Sequence, residues 1–146
     1  MSNINGCNIP EDLYYWPEKH VWARPEADGT VTVGITDVAQ NLAKRFISCT
    51  MKKTSKPLDK GKSVATVESG KWVGPVPIPM AGEIVATNEA AAKTPSIIND
   101  HPYGEGWIAR IKPTNWEADK ATLVTGANGV AAYQKFLDAE GIKCNQ

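Results

Sequence analysis

The chain of 146 residues lacks a long apolar run. No stretch approaches the roughly 20 apolar residues of a membrane helix, and Met1 to His20 contains no hydrophobic core of a secretory signal. Neither a membrane span nor a cleaved leader is expected. An excess of one charge is also missing: sixteen Lys and Arg stand against sixteen Asp and Glu. A formal net charge of zero disfavours a general nucleic-acid binder, which displaces counterions with surplus cations. Histidine is scarce. His20 and His101 are too few to build a metal cluster with the cysteines. The three cysteines, Cys7, Cys49 and Cys144, are odd in number, far apart and form no CxxC pair. They predict no disulfide framework and a reducing, cytoplasmic setting, with Cys7 and Cys144 in mobile ends. No GxGxxG or GxxxxGK[ST] phosphate loop and no GxSxG nucleophile elbow occurs.

What is there is globular in character: 42% hydrophobic and 22% charged residues. A chain of this size is one ordinary domain that buries roughly two thirds of its unfolded surface. The zero charge is unevenly built. Lys44, Arg45, Lys52, Lys53, Lys56, Lys60 and Lys62 face only Asp59 within residues 44–62, a block of +6 against a remainder of −6. Such a block reads as a solvated loop surface or as a docking face for an acidic partner.

Short strands dominate the coarse reading. Gly29 to Ile35 alternates after an Asp28-Gly29 turn, and Thr36-Asp37 opens a short helix to about Lys44, with Thr36 or Asp37 as its cap. Ser63 to Val67 and Gly82 to Thr87 read as further strands, the second followed by Asn88 as cap for a helix from Glu89 to about Lys93. The order turn, strand, short helix therefore recurs near residues 29–44 and 82–93, a weak internal duplication. Trp107 to Ile111 alternates and ends at Pro113. Val130, Tyr133, Phe136 and Leu137 have helical spacing, and Gly141 is a natural terminator.

The most unusual stretch is Val67-Glu68-Ser69-Gly70-Lys71-Trp72-Val73-Gly74-Pro75. Strand-like sequence flanks it, and Gly70-Lys71 fits a two-residue type II′ hairpin loop with Gly in the first central position. Lys71 then stands at an exposed tip. From geometry alone such a lysine is simply solvated. The neighbouring Trp72 is less bland, because an exposed tryptophan commonly meets a partner. No nucleophile–base constellation appears, so catalysis by the chain itself is not expected.

Four ordered motifs resemble the glycine-cleavage H-protein family of lipoyl carriers. They are His20-x-Trp22, then Val31-Thr32-Val33-Gly34-Ile35-Thr36-Asp37-x-Ala39-Gln40, then Val67-Glu68-Ser69-x-Lys71. The last is Pro95-x-Ile97-Ile98-Asn99-x-x-Pro102-Tyr103-Gly104-x-Gly106-Trp107. The resemblance covers residues 13–113, within a single carrier domain 1–146 that ends in a helical extension from about 114. It implies a mainly β fold, a flattened β-barrel of the barrel-sandwich hybrid type with short helices and a C-terminal helix. It also implies lipoic acid attached as an amide to Lys71, with Glu68, Ser69, Gly70 and Trp72 as the motif the attaching enzyme meets. Biotin is disfavoured, because biotin carriers resemble Met-Lys-Met at this turn.

Several positions depart from the family pattern. Val21 replaces a usual Glu, Val38 a usual His or Tyr, and Trp72-Val73-Gly74-Pro75 a usual Ala-x-Ser-Asp. Lys44-Arg45 and Lys52-Lys53 replace a Gly-acid pair and a Pro-Glu pair. In the family the polar groups line the cleft that shelters an aminomethyl-loaded arm, so His20, Val21 and Val38 are candidate cleft-lining residues. An apolar cleft suits sulfur better than an amine. The pattern resembles the lipoate-binding proteins that serve a cytoplasmic heterodisulfide-reductase-like sulfur-oxidising complex. The resemblance therefore implies a monomeric sulfur carrier, with the glycine-cleavage aminomethyl shuttle as its alternative. A lipoate-attaching enzyme and dihydrolipoyl dehydrogenase are the other expected partners. An unmodified structural or regulatory homologue is the third reading, and intact mass decides it. Trp22 is expected in the core or cleft, Cys49 as a small buried hydrophobe, His101 in a structural turn, and Trp116 as an anchor for the C-terminal segment.

Overall fold

A computed structural model describes residues 2–52 and 57–144. Lys53 and Lys56 of the basic segment lie outside the described residues. Strands β1 (Ser2–Ile4) and β2 (Cys7–Ile9) form an N-terminal hairpin. Next come β3 (Tyr14–Trp16), a 3-10 turn at Pro17–Lys19, β4 (Val21–Pro25), β5 (Val31–Ile35), α1 (Asp37–Ala43) and β6 (Phe46–Met51). They are followed by β7 (Pro57–Leu58), β8 (Ser63–Ser69), β9 (Val73–Pro77), β10 (Gly82–Thr87), α2 (Glu89–Lys93) and α3 (Ile97–Asp100). The order ends with β11 (Ala109–Pro113), α4 (Trp116–Lys120), β12 (Val124–Thr125) and α5 (Gly126–Glu140).

A seven-stranded sheet runs β12-β3-β4-β5-β11-β10-β7, and a three-stranded sheet runs β6-β8-β9. One core joins them: Val21, Val33 and Ile111 from the large sheet meet Phe46, Val67 and Val76 from the small one. The architecture is mainly β with short helices, and among the described residues no ladder closes it into a barrel. The chain leaves the large sheet at α1, returns to it briefly as β7, re-enters the small sheet at β8 and leaves it after β9, where Pro77 and Pro79 have no N–H to extend a ladder. Most expected elements stand where periodicity put them. Thr36 Oγ1 caps α1 by accepting from Ala39 N, and Asn88 caps α2 by accepting from Ala90 N. The recurring strand–helix order is present as β5–α1 and β10–α2.

A second core lies where α5 covers the other side of β3 and β4. Tyr15, Trp22, Tyr133 and Leu137 are fully buried there, and Trp22 Nε1 donates to Ile35 O and Pro102 O, each at 3.0 Å. Trp116 anchors its segment by an edge-on contact with Tyr14 at 5.2 Å. Cys49 is buried, and burial pushes its thiol pKa up to about 11.

The termini correct the expectation of mobile ends. Asn5 and Gly6 both adopt positive φ, as the tight turn of a type I′ hairpin demands. Cys7 and Cys144 are buried and joined by a disulfide, and Cys144 N donates to Asn5 O at 2.9 Å. The pairing spans 137 positions in sequence, a distance from which no pairing can be read. It removes the argument for a reducing compartment that three unpaired cysteines had supplied. No described helix is long and apolar enough to cross a membrane.

Candidate functional site

Strand β8 alternates at its end so that Val67 and Ser69 face inward while Thr66 and Glu68 face out. Glu68 pairs with Val73, and Ser69 N donates to Trp72 O at 2.7 Å. Gly70 and Lys71 are therefore the two-residue loop that the sequence predicts. The turn type differs from the expectation. Gly70 lies outside the left-handed region, and a Cβ there would meet nothing within 4 Å, so the loop is not type II′. Ser69 supplies the reason. Its Oγ accepts from Lys71 N at 3.2 Å and Trp72 N at 3.1 Å, and donates to Ala43 O at 2.5 Å. A side-chain acceptor closes the turn without special backbone angles and ties the tip to the end of α1.

Lys71 is exposed at this tip and borders a cavity of about 540 Å³ between the small sheet, α1 and the 3-10 turn. Ile35, Leu42, Phe46, Val67 and Val76 make its apolar walls, with Trp72 and Pro75 beside the lysine. Trp72 keeps 46% of its surface exposed. Its ring lies across Gly74, where a Cβ would stand 2.2 Å from it. Only glycine at this position lets the indole fold back as part of the wall.

The polar part of the lining is Glu18, Lys19 and His20. His20 caps the 3-10 turn in the left-handed conformation, at φ 55°. Its Nδ1 is 2.7 Å from Tyr133 Oη, and burial lowers its pKa to about 4, so the ring is neutral near pH 7. The expected cleft lining is thus corrected in part. His20 lines the cavity, but Val21 and Val38 do not. Val21 points into the core between the sheets, and Val38 sits on the flank of α1 turned toward the N-terminal hairpin, while Ala39, Leu42 and Ala43 face the cavity. Glu18 is the carboxylate that sequence reasoning missed. The Pro17-Glu18 pair carried a signal, since proline followed by an acid opens a helical turn. His101 closes a turn away from the cavity, where its carbonyl accepts from Gly106 N at 2.8 Å.

A β-sandwich that offers one exposed lysine on a hairpin tip, over an apolar shelter, defines a carrier protein that presents a side-chain arm. The comparisons narrow the class. The glycine cleavage H-protein family matches residues 13–138. "Glycine cleavage system H protein 5" of Aquifex aeolicus is 48% identical, covering 99% of this chain and 99% of the relative. "Probable glycine cleavage system H protein 2" of Sulfurisphaera tokodaii is 42% identical over 100% and 99% of the two chains. The crystal structure of a glycine cleavage system H protein from Mycobacterium marinum superposes with a TM-score of 0.72 at 31% identity, covering 92% of this chain and 100% of that one. The chain belongs to the glycine cleavage H-protein family. Members of this family are non-catalytic carriers that bear a covalently attached lipoate on a lysine.

Proposed function

We propose that Lys71 is the lipoate-bearing lysine and that the chain presents this arm to partner enzymes. The observation that carries the reading is the exposed lysine at the rim of the apolar cavity. Amide formation at Nζ removes the charge and lengthens the side chain, and the cavity is apolar enough to take an aliphatic arm. Leu42, Phe46 and Trp72 would hold it, and Glu68, Ser69 and Gly70 would fix the tip for the attaching enzyme. When bound, lipoate supplies a dithiolane that exchanges with thiols and accepts an electron pair.

The cargo has two readings. The names of the relatives favour an aminomethyl group passed within the glycine cleavage system, and Glu18 offers a carboxylate to an amine at the cavity. Losing Val21 and Val38 from the lining weakens the case for sulfur. One observation still favours a sulfur cargo for a heterodisulfide-reductase-like complex: Trp72 and Pro75, beside the lysine, offer an indole and a pyrrolidine ring and no carboxylate or hydroxyl. Dihydrolipoyl dehydrogenase is a partner under either reading. Peptide mass mapping after lipoylation tests the attachment: lipoyl should appear on Lys71 and vanish in Lys71→Arg. Incubation of the lipoylated chain with glycine and a glycine-decarboxylating partner tests the cargo. Aminomethyl loading supports the first reading, and its absence beside an active control H protein turns the case to sulfur.

A further inference from the structure

The hydrogen bonds behind the cavity fix one tautomer of His20. Thr36 Oγ1 is fully buried and accepts from Ala39 N at 3.3 Å. Its own proton has one partner among the described residues, Tyr133 Oη at 2.8 Å. Were the chain of bonds to run the other way, the Thr36 proton would be buried without an acceptor, which folded proteins avoid. Thr36 therefore donates to Tyr133. The Tyr133 proton, which burial holds on the phenol, is then directed to His20 Nδ1 at 2.7 Å. A neutral imidazole that accepts at Nδ1 carries its proton on Nε2. Nε2 has no protein partner among the described residues, and none of their unpartnered side-chain nitrogens is buried. Nδ1 is turned to Tyr133, which leaves Nε2 as the ring nitrogen free to meet a guest of the cavity that His20 lines.

We infer that His20 is a fixed hydrogen-bond donor of the cavity, set by Tyr133 between it and Thr36, and that its Nε2–H holds a carbonyl oxygen or sulfur of the arm while Glu18 remains the group an amine would meet. The inference rests on the cavity being the shelter of the arm. A lipoamide arm brings only an amide and two sulfurs as polar groups, and the carbonyl and sulfurs are acceptors. His20 is a positioning residue in this role, and Tyr133 and Thr36 act through it.

Nitrogen-15 NMR of the His20 ring in the full, unmodified chain tests this, with His101→Gln to assign the signals. The expected ring is the neutral Nε2–H tautomer. Free lipoamide should shift the Nε2 resonance, while hexylammonium at the same concentration should not. Tyr133→Phe keeps the packing and removes the donor to Nδ1, so the ring should relax to a tautomer mixture. His20→Leu should weaken lipoamide binding roughly fivefold, the worth of one hydrogen bond. An Nδ1–H ring in the wild type, an Nε2 signal indifferent to lipoamide, or an equal response to hexylammonium would overturn the inference. Because the chain is unmodified, failure of Lys71 lipoylation is detected separately, by the mass mapping above.

Discussion

Ser69 and Gly70 divide the work at the lysine tip in a way that can be measured. Ser69 Oγ serves Lys71 N, Trp72 N and Ala43 O together. Ser69→Ala leaves these groups without their partner and should cost about 1–3 kcal/mol in urea unfolding, with slower lipoylation of Lys71. Gly70 has ordinary backbone angles and open space where a Cβ would go. Gly70→Ala should stay within about 0.5 kcal/mol of the parent. The reverse order of effects would return the turn to a glycine-dependent type. His20 gives the chain a pH dependence. Its folded pKa, about 4, lies below the ordinary 6.5, so the unfolded chain takes up the proton first. The stabilisation is complete above about pH 6.5 and is lost as pH falls toward 4, on the order of 3 kcal/mol over the interval. Urea midpoints of His20→Gln should vary less across that window than those of the parent.

At the scale of elements, the strands and helices with clean periodicity were legible: β5, β8 and β10 from alternation, α1 and α2 from their caps, α5 from its apolar spacing. The N-terminal hairpin was missed although Asn5-Gly6 is a strong turn signal, because three-residue strands carry too little alternation to register. Helix α3 was missed as well, and its role lies in tertiary contacts. Asn99 Oδ1 accepts from Phe46 N at 2.9 Å, and its Nδ2 donates to Lys44 O at 2.8 Å. It thereby pins the turn from α1 to β6, which carries Leu42 and Phe46 to the cavity wall. Asn99→Ala should cost about 1–3 kcal/mol and speed hydrogen exchange at the Phe46 amide. An unchanged Phe46 exchange rate would separate Asn99 from the cavity.

At the scale of the whole molecule, the disulfide and α5 bind the two ends of the chain to the large sheet. Strand β12 pairs with β3, Tyr133 reaches His20 and Thr36, and Cys144 is joined to Cys7. Reduction should destabilise the fold by about 2–4 kcal/mol, because the unfolded chain loses a long-range closure. In denaturant without reductant an alkylating reagent should add to one thiol, Cys49; with reductant it should add to all three. Labelling of all three without reductant would show the pair to be open. The basic segment is partly engaged within the molecule. Arg45 pairs with Asp100 at 3.4 Å, and Lys60 Nζ sits 4.6 Å above the Trp16 ring. Lipoylation of Lys71 would take the formal net charge from zero to −1.

The sequence by itself determined the carrier class and the place of Lys71 on a hairpin tip. Motif order and the strand–turn–strand pattern around residue 71 are local properties, and local geometry decides where a hairpin tip falls. Tertiary structure alone decided what the lysine stands beside. Val21 and Val38 look like cleft residues in one dimension, but side-chain direction depends on which sheet face or helix flank meets which neighbour. Glu18 and His20 enter the cavity because a short helical turn and a left-handed residue aim them there. Cys7 finds Cys144 because two termini far apart in sequence pack on one side of the large sheet.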